Sequence, residues 1–205
     1  VVKQVNIVLV GPGQGKSITA ALLASTHVVS VFDADPYRAL SELYPRAEIY
    51  NDPNSLIPPC IVDTSKVDRW GRTYLAVIRE IHAPWVLLVT TPFFHQVAAA
   101  RRVVEDVVEY TGTAVRGVVV SMAASEDEAK GVAERLGVPL AGWLPLSKVL
   151  EDMLAAGKVI PDGDAVSVVD SALIERVMAL GRELGLQPRL KLQDKRKSGL
   201  PWLKR

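Results

Sequence analysis

The sequence predicts an α/β fold: a mostly parallel twisted sheet with helices on both faces. Three observations predict it. Short β-branched apolar runs alternate with stretches of helical periodicity, joined by short connections. The runs are apolar throughout, as strands buried on both faces are, instead of alternating with polar residues. The first run, Val5 to Val10, meets a glycine-rich turn closing in Gly15-Lys16-Ser17, and a helix-compatible segment follows at once.

The 205 residues suffice for one domain with a substantial core. Apolar residues make up 49% of the chain, and no apolar run approaches the ~18 residues of a membrane span. The N-terminal residues lack the longer apolar stretch of a signal peptide. A lone cysteine, Cys60, has no internal disulfide partner and precedes an apolar strand, which favours a buried core position. These features predict a cytoplasmic location. Seven of the 24 basic residues lie from Arg189 onward, against one of the 23 acidic ones. The expected organisation is therefore one mildly acidic domain over residues 1–188 and a basic tail over 189–205.

The elements follow in order. After the first strand and glycine turn, Ile18 to Ala24 is helical. Val28 to Phe32 is a strand ending at Asp33-Ala34-Asp35-Pro36, where Pro36 suits the first turn of a helix continuing through Tyr37 to Leu43. Tyr44 to Pro59, rich in Pro, Asn and Asp, is an irregular excursion. Cys60 to Val62 is a short strand ending at Asp63. Thr64 to Gly71 is a polar loop, and Arg72 to Ile81 is helical. Trp85 to Val89 is a buried strand, and Val97 to Tyr110 carries apolar residues at helical spacing. Val115 to Val120 and Pro139 to Leu144 are strands. Glu126 to Leu136 is a helix stopped by Gly137, Ser147 to Ala156 precedes Gly157, and Val166 to Leu184 is the long last helix.

In open parallel sheets, ligands bind beyond the carboxyl ends of the strands. Gly11, Asp33, Asp63, Thr90-Thr91-Pro92, Ser121 and Pro145 all fall at such ends. This recurrence argues for one shared site. In Gly11-Pro12-Gly13-Gln14-Gly15-Lys16-Ser17, the glycines let backbone N–H groups converge on an anion at a helix N-terminus. Lys16 would supply a point charge to β/γ-phosphates and Ser17 a hydroxyl to Mg²⁺. The common pattern has a glycine six residues before the lysine; here that position is Val10, and Gly11 lies five before.

Asp63 reads in two ways, as a carboxylate serving magnesium or as a turn cap; the shared edge favours metal. Asp33 and Asp35 have a metal-and-water reading and a turn-forming one, with Asp35 a plausible N-cap, and the two are compatible. His27, His82 and His95 show no ligand spacing and read as structural. Trp85 and Trp143 read as core. In the tail, Leu200-Pro201-Trp202-Leu203 among cations has three readings: a solvated end, an anionic-lipid contact, or a nucleic-acid contact.

The ordered set of motifs resembles the ParA/MinD family of deviant-Walker P-loop ATPases in the SIMIBI class. Gly11 to Ser17 is similar to the family's loop, Lys-Gly-Gly-x-Gly-Lys-Thr/Ser. Val31 to Pro36 resembles its second motif, and Cys60 to Thr64 its Walker B strand. Leu88 to Pro92, Gly117 to Val120, Leu136 to Pro139 and Gly157 to Ile160 are similar to later segments. The resemblance implies a P-loop NTPase fold and a switch ATPase using ATP and Mg²⁺ in partition, positioning or membrane-associated regulation. It implies a nucleotide-dependent homodimer, with the tail 189–205 a candidate contact to a membrane surface or DNA.

By the same resemblance, Gly11, Gly13, Gln14, Gly15, Lys16, Ser17, Ile18 and Ser121 would bind nucleotide. Ser17, Asp33 and Asp63 would serve the metal, and Lys16 and Asp35 would be the catalytic pair. Gly11 stands where the family has its signature lysine, which implies atypical or weak hydrolysis; Lys66 or Arg69 are substitutes for its charge. Ser121 replaces an asparagine that the family often has at the base-binding strand end. A non-catalytic nucleotide-binding scaffold and a small-molecule or metallochaperone ATPase are the rival readings.

Overall fold

In the computed structural model the described residues are 5–13, 15–64, 73–82, 84–161 and 170–189. They form a seven-stranded parallel sheet in the order β3-β2-β4-β1-β5-β6-β7. The strands are β1 (Asn6–Val10), β2 (Ser30–Ala34), β3 (Glu48–Ile49), β4 (Cys60–Thr64), β5 (Trp85–Thr90), β6 (Val115–Ala123) and β7 (Leu140–Pro145). The helices are α1 (Gly15–Thr26), α2 (Ala39–Leu43), α3 (Thr73–Glu80), α4 (Phe94–Thr111), α5 (Glu126–Leu136), α6 (Lys148–Ala155) and α7 (Ser171–Glu183).

The uninterrupted apolar strands have the cause the sequence suggests. Side chains alternate across a strand, and both faces of this sheet are covered. Ile7 and Leu9 of β1 pack with Val31, Ile61, Leu87 and Val119 into a core closed by α1, α6 and α7. Val8 and Val10 pack with Phe32, Val62, Leu88 and Val120 into a second core closed by α3, α4 and α5. Trp85 and Trp143 are half-buried against these cores, with the Arg116 and Arg176 guanidinium groups 5.4 and 4.3 Å from their ring centres. Cys60 is buried, and burial pushes its thiol up to about 12. No helix among the described residues is long and apolar enough to cross a membrane.

Of the boundaries that differ from the sequence expectation, four bear on the site. The helix after β2 begins at Ala39, not Pro36. Asp35 does not cap it: its Oδ1 accepts from the Tyr37 N–H, closing a turn, and the residue before the helix is Arg38, at φ 54. The excursion after Tyr44 contains the short edge strand β3, paired with Phe32 and Asp33. Asp33 and Asp63 lie inside their strands, directly paired across β2 and β4, instead of following them. Finally, α4 starts at Phe94, ahead of the helical spacing read from Val97, so Phe94, His95 and Gln96 form its first turn. Residues 65–72 and 190–205 are outside the described set, and with them Lys66, Arg69, Trp70 and the basic tail.

Candidate phosphate and metal site at the carboxyl edge of the sheet

β1 is flanked by β4 and β5, and the chain leaves its carboxyl end through Gly11. Gly11 has φ +148, and a Cβ there would drive into the Val89 carbonyl oxygen of β5. A glycine is therefore required where the loop crosses β5. The glycine the common pattern puts at Val10 is displaced by one residue, and Val10 itself stays in the sheet, buried and paired with Leu88. Gly15 is similarly constrained: a Cβ would meet the Ser121 hydroxyl. Ser121 thus lies directly beneath the loop, where its Oγ donates to the Thr90 carbonyl at 3.3 Å.

Lys16 opens α1 and is only 3% exposed. Its Nζ donates to the carbonyl oxygens of Gly11 at 3.1 Å and Gly13 at 3.0 Å, so the loop wraps its own cation. Next to it, the Ser17 hydroxyl donates to Asp63 Oδ2 at 2.5 Å. Asp63 is fully buried, and its Oδ1 has no hydrogen-bond partner among the described residues. Burial pushes this carboxyl up to about 7, against the opposing pulls of the Ser17 hydrogen bond and the Lys16 charge.

Asp33 is paired in register with Asp63 and is equally enclosed. Its Oδ1 accepts from the Asp35 N–H at 3.0 Å, and its Oδ2 accepts from the Ser41 N–H and Oγ at 2.8 Å each. Sequence reasoning missed Ser41, since nothing in the local spacing shows that α2 turns back onto the end of β2. Asp35 is half-exposed at the mouth of the site.

The donor set suits a hard divalent cation. A buried, unpartnered carboxylate oxygen beside a hydroxyl calls for a positive partner, and Mg²⁺ takes few protein ligands and keeps waters and phosphate oxygens. Among the described residues no group of three or more His, Cys, Asp or Glu is arranged to hold a metal by itself.

On the other side of the loop, a cleft of about 460 Å³ runs from Pro12, Gly13, Gly15 and Ile18 to the ends of β6 and β7. It is mainly apolar, and Phe93, Met122 and Leu146 on its walls are well exposed. His95 also lines it, stacked parallel to Phe93 with ring centres 6.1 Å apart. His27 is elsewhere, buried beside Gly181 with Nδ1 2.8 Å from the Thr26 hydroxyl, consistent with a structural role. The structure therefore brings Gly11, Gly13, Gly15, Lys16, Ser17, Ile18, Asp33, Asp35, Asp63 and Ser121 to one edge. Gln14 lies outside the described residues.

No family model matches the sequence, and no curated protein matches it. Solved structures do match. The cell division protein MinD of Aquifex aeolicus superposes with a TM-score of 0.61 at 16% identity, covering 88% of this chain and 96% of that one. A ParA family ATPase from Chlorobium tepidum gives 0.60 at 16% identity, over 89% and 98%. The septum site-determining protein MinD of Pyrococcus horikoshii, solved with Mg-ADP, gives 0.53 at 13% identity, over 89% and 96%. The fold is ParA/MinD-like. At these identities the likeness is one of fold, and the ParA/MinD-like core accounts for nearly the whole described chain. The carboxyl ends of its strands place the carboxylates and the glycine loop together.

Proposed function

We propose that this chain is a Mg-ATP-binding switch protein of the ParA/MinD kind, with slow hydrolysis. The observation that carries the reading is the Lys16–Ser17–Asp63 cluster: a loop-wrapped ammonium, a hydroxyl, and a buried carboxylate with one oxygen unpartnered. Lys16 would exchange the Gly11 and Gly13 carbonyls for phosphate oxygens, which bind an ammonium more strongly. Ser17 and Asp63 would hold Mg²⁺, and Asp33 would support them from behind, fixed by Ser41. When bound, Mg²⁺ supplies positive charge to the phosphates. Asp35, half-exposed at the mouth, would orient the attacking water. The cleft beside the loop would take the nucleoside.

Slow hydrolysis follows from Gly11. The backbone there has no room for a side chain, so the loop cannot carry a second lysine at its first position. The same observation favours, as a second reading, a nucleotide-dependent scaffold whose output is a partner contact. In the switch reading, ATP binding drives formation of a homodimer, and the basic tail 189–205 attaches it to a membrane surface or DNA in partition or positioning. Light scattering with and without ATP and Mg²⁺, alongside phosphate release, tests this. A dimer formed with ATP and Mg²⁺ and slow phosphate release support the switch. A monomer under every condition contradicts it. Co-sedimentation with anionic vesicles and with DNA, before and after deletion of residues 191–205, tests the tail.

A further inference from the structure

At the opposite end of α1 from the glycine loop stands a buried histidine that the phosphate and metal chemistry does not use. His27 is fully buried. The Thr26 hydroxyl, 2.8 Å from His27 Nδ1, has one proton to give, and the Leu22 carbonyl oxygen accepts it at 2.7 Å. Nδ1 therefore donates to Thr26, and Nε2 is the bare ring nitrogen, buried with no hydrogen-bond partner among the described residues. Nε2 faces α7 at Gly181, where a Cβ would overlap the ring. The same residue holds the segment that follows α7. His27 and Pro188 form an antiparallel bridge, with the Val28 N–H donating to the Gln187 carbonyl and the Arg189 N–H to the Thr26 carbonyl, each at 2.8 Å. Gln187, Pro188 and Arg189 are exposed, and the basic stretch begins at Arg189.

We propose that His27 is a pH-sensitive latch on the root of the basic tail: a proton on Nε2 releases residues 187–189 from the end of α1. The inference stands apart from the nucleotide reading. Protonation creates a buried N–H and a buried charge with nothing to receive them. The surroundings offer no relief. α1 carries no charged residue after Lys16, Leu184 to Pro188 carries none, and α7 contributes Arg182, a second cation. No carboxylate among the described residues acts on the ring. Burial holds His27 below the ordinary imidazole value; the Leu23 backbone pulls the other way, and Arg182 adds to the lowering. The latched form is therefore favoured in full above the ordinary value near ~6.5 and loses ground as pH falls below it. The ring reaches water most readily past residues 187–189, which bury no side chain. α7 itself is anchored by Leu173, Ile174, Val177 and Leu180 in the core. Opening adds three residues, about 10 Å, to the reach of the tail, while Lys16 at the other end of α1 stays in place.

The test is amide hydrogen exchange of the full chain by NMR at about pH 7.5 and about pH 5.5, corrected for intrinsic exchange rates. Protection of the Val28 and Arg189 amides should fall by about threefold or more at the lower pH. The limit is roughly tenfold, because a released imidazole one unit below its ordinary value is protonated about 10:1. Amides of β1, β4 and β5 should keep their protection, and the His27 ring should titrate below the ordinary imidazole range. His27→Asn keeps a donor towards Thr26 and gains no charge across this range, so it should lose the response. Arg182→Glu, a change at an exposed position that offers the imidazolium a carboxylate, should blunt the response in a chain that keeps the native ring. Thermal melts identify a variant that fails to fold. Unchanged protection at Val28 and Arg189, or an equal fall in the core strands, overturns the latch. So does a fall that persists in folded His27→Asn or, where that variant does not fold, one that is undiminished in Arg182→Glu.

Discussion

On the β2–β4–β1 side of the loop, nearly every polar atom is committed. Asp33 is held by three donors, Ser17 by Asp63, and Lys16 by two carbonyls, with Asp63 Oδ1 left over. On the β5–β6–β7 side there is space instead: an apolar cleft with two unpartnered polar atoms in its wall. The first half is rigid and charged, suited to ordering phosphates and a cation before any chemistry. The second is shaped and largely uncharged, suited to recognition. A parallel sheet produces this division because β1, carrying the loop, lies between strands from the two halves. The fold alone therefore does not fix the outcome; activity and selectivity can change independently on either side of one loop.

The comparison breaks most visibly at the boundary itself. Gly11→Lys should cost roughly 3 kcal/mol of stability or more, through positive-φ strain combined with the clash at Val89. Chemical denaturation measures this, and the substitution should not create a faster ATPase. A stable, faster Gly11→Lys would mean that the loop adapts and that slow hydrolysis has another cause.

Asp63 supplies the next largest effect. Its folded-state pKa is about 7, above the ordinary carboxylate value near ~4. Between those values the folded chain holds a proton that the unfolded chain has released, so this group's contribution to stability falls as pH rises through that window. Without Mg²⁺ and nucleotide, Asp63→Asn should melt less pH-dependently than the native chain. It should exceed the native melting temperature near pH 8 by about 5 °C or more. Mg²⁺ with ATP should raise the native melting temperature more at about pH 8 than at pH 6, since the cation competes with that proton, and should raise the Asp63→Asn value little. Asp35→Ala should leave ATP affinity unchanged and slow phosphate release by about tenfold or more. Ser41→Ala should show the smallest change, about 1 kcal/mol from the lost Asp33 hydrogen bond, with affinity nearly intact.

The sheet and its loop were legible because they depend on local chemistry. Apolar strands of β-branched residues, Gly137 ending α5 at φ 66, and the Gly15-Lys16-Ser17 turn each act within a few residues. What the sequence hid depends on long-range contact. Gly11 looked like a missing lysine, and only the Val89 carbonyl across the sheet explains it. Asp35-Pro36 is good helix-starting chemistry locally, yet Asp33 draws in Ser41 and the helix starts later. Gln96 carries no motif; it stands out only as an unpartnered atom beside Gly13. Gln96 was further masked because the helical spacing starts only at Val97, although α4 begins at Phe94.

The central claim is that the loop ending in Lys16 and Ser17 holds a nucleoside triphosphate with a divalent cation at Asp63. Calorimetric titration of ATP with Mg²⁺ into the native chain and into Lys16→Ala tests it most directly. The account predicts saturable one-site binding to the native chain and an affinity lower by about 100-fold or more in the variant, the scale of charge-assisted hydrogen bonds at about 3 kcal/mol. Equal binding by the two proteins, or none by the native chain, would contradict it.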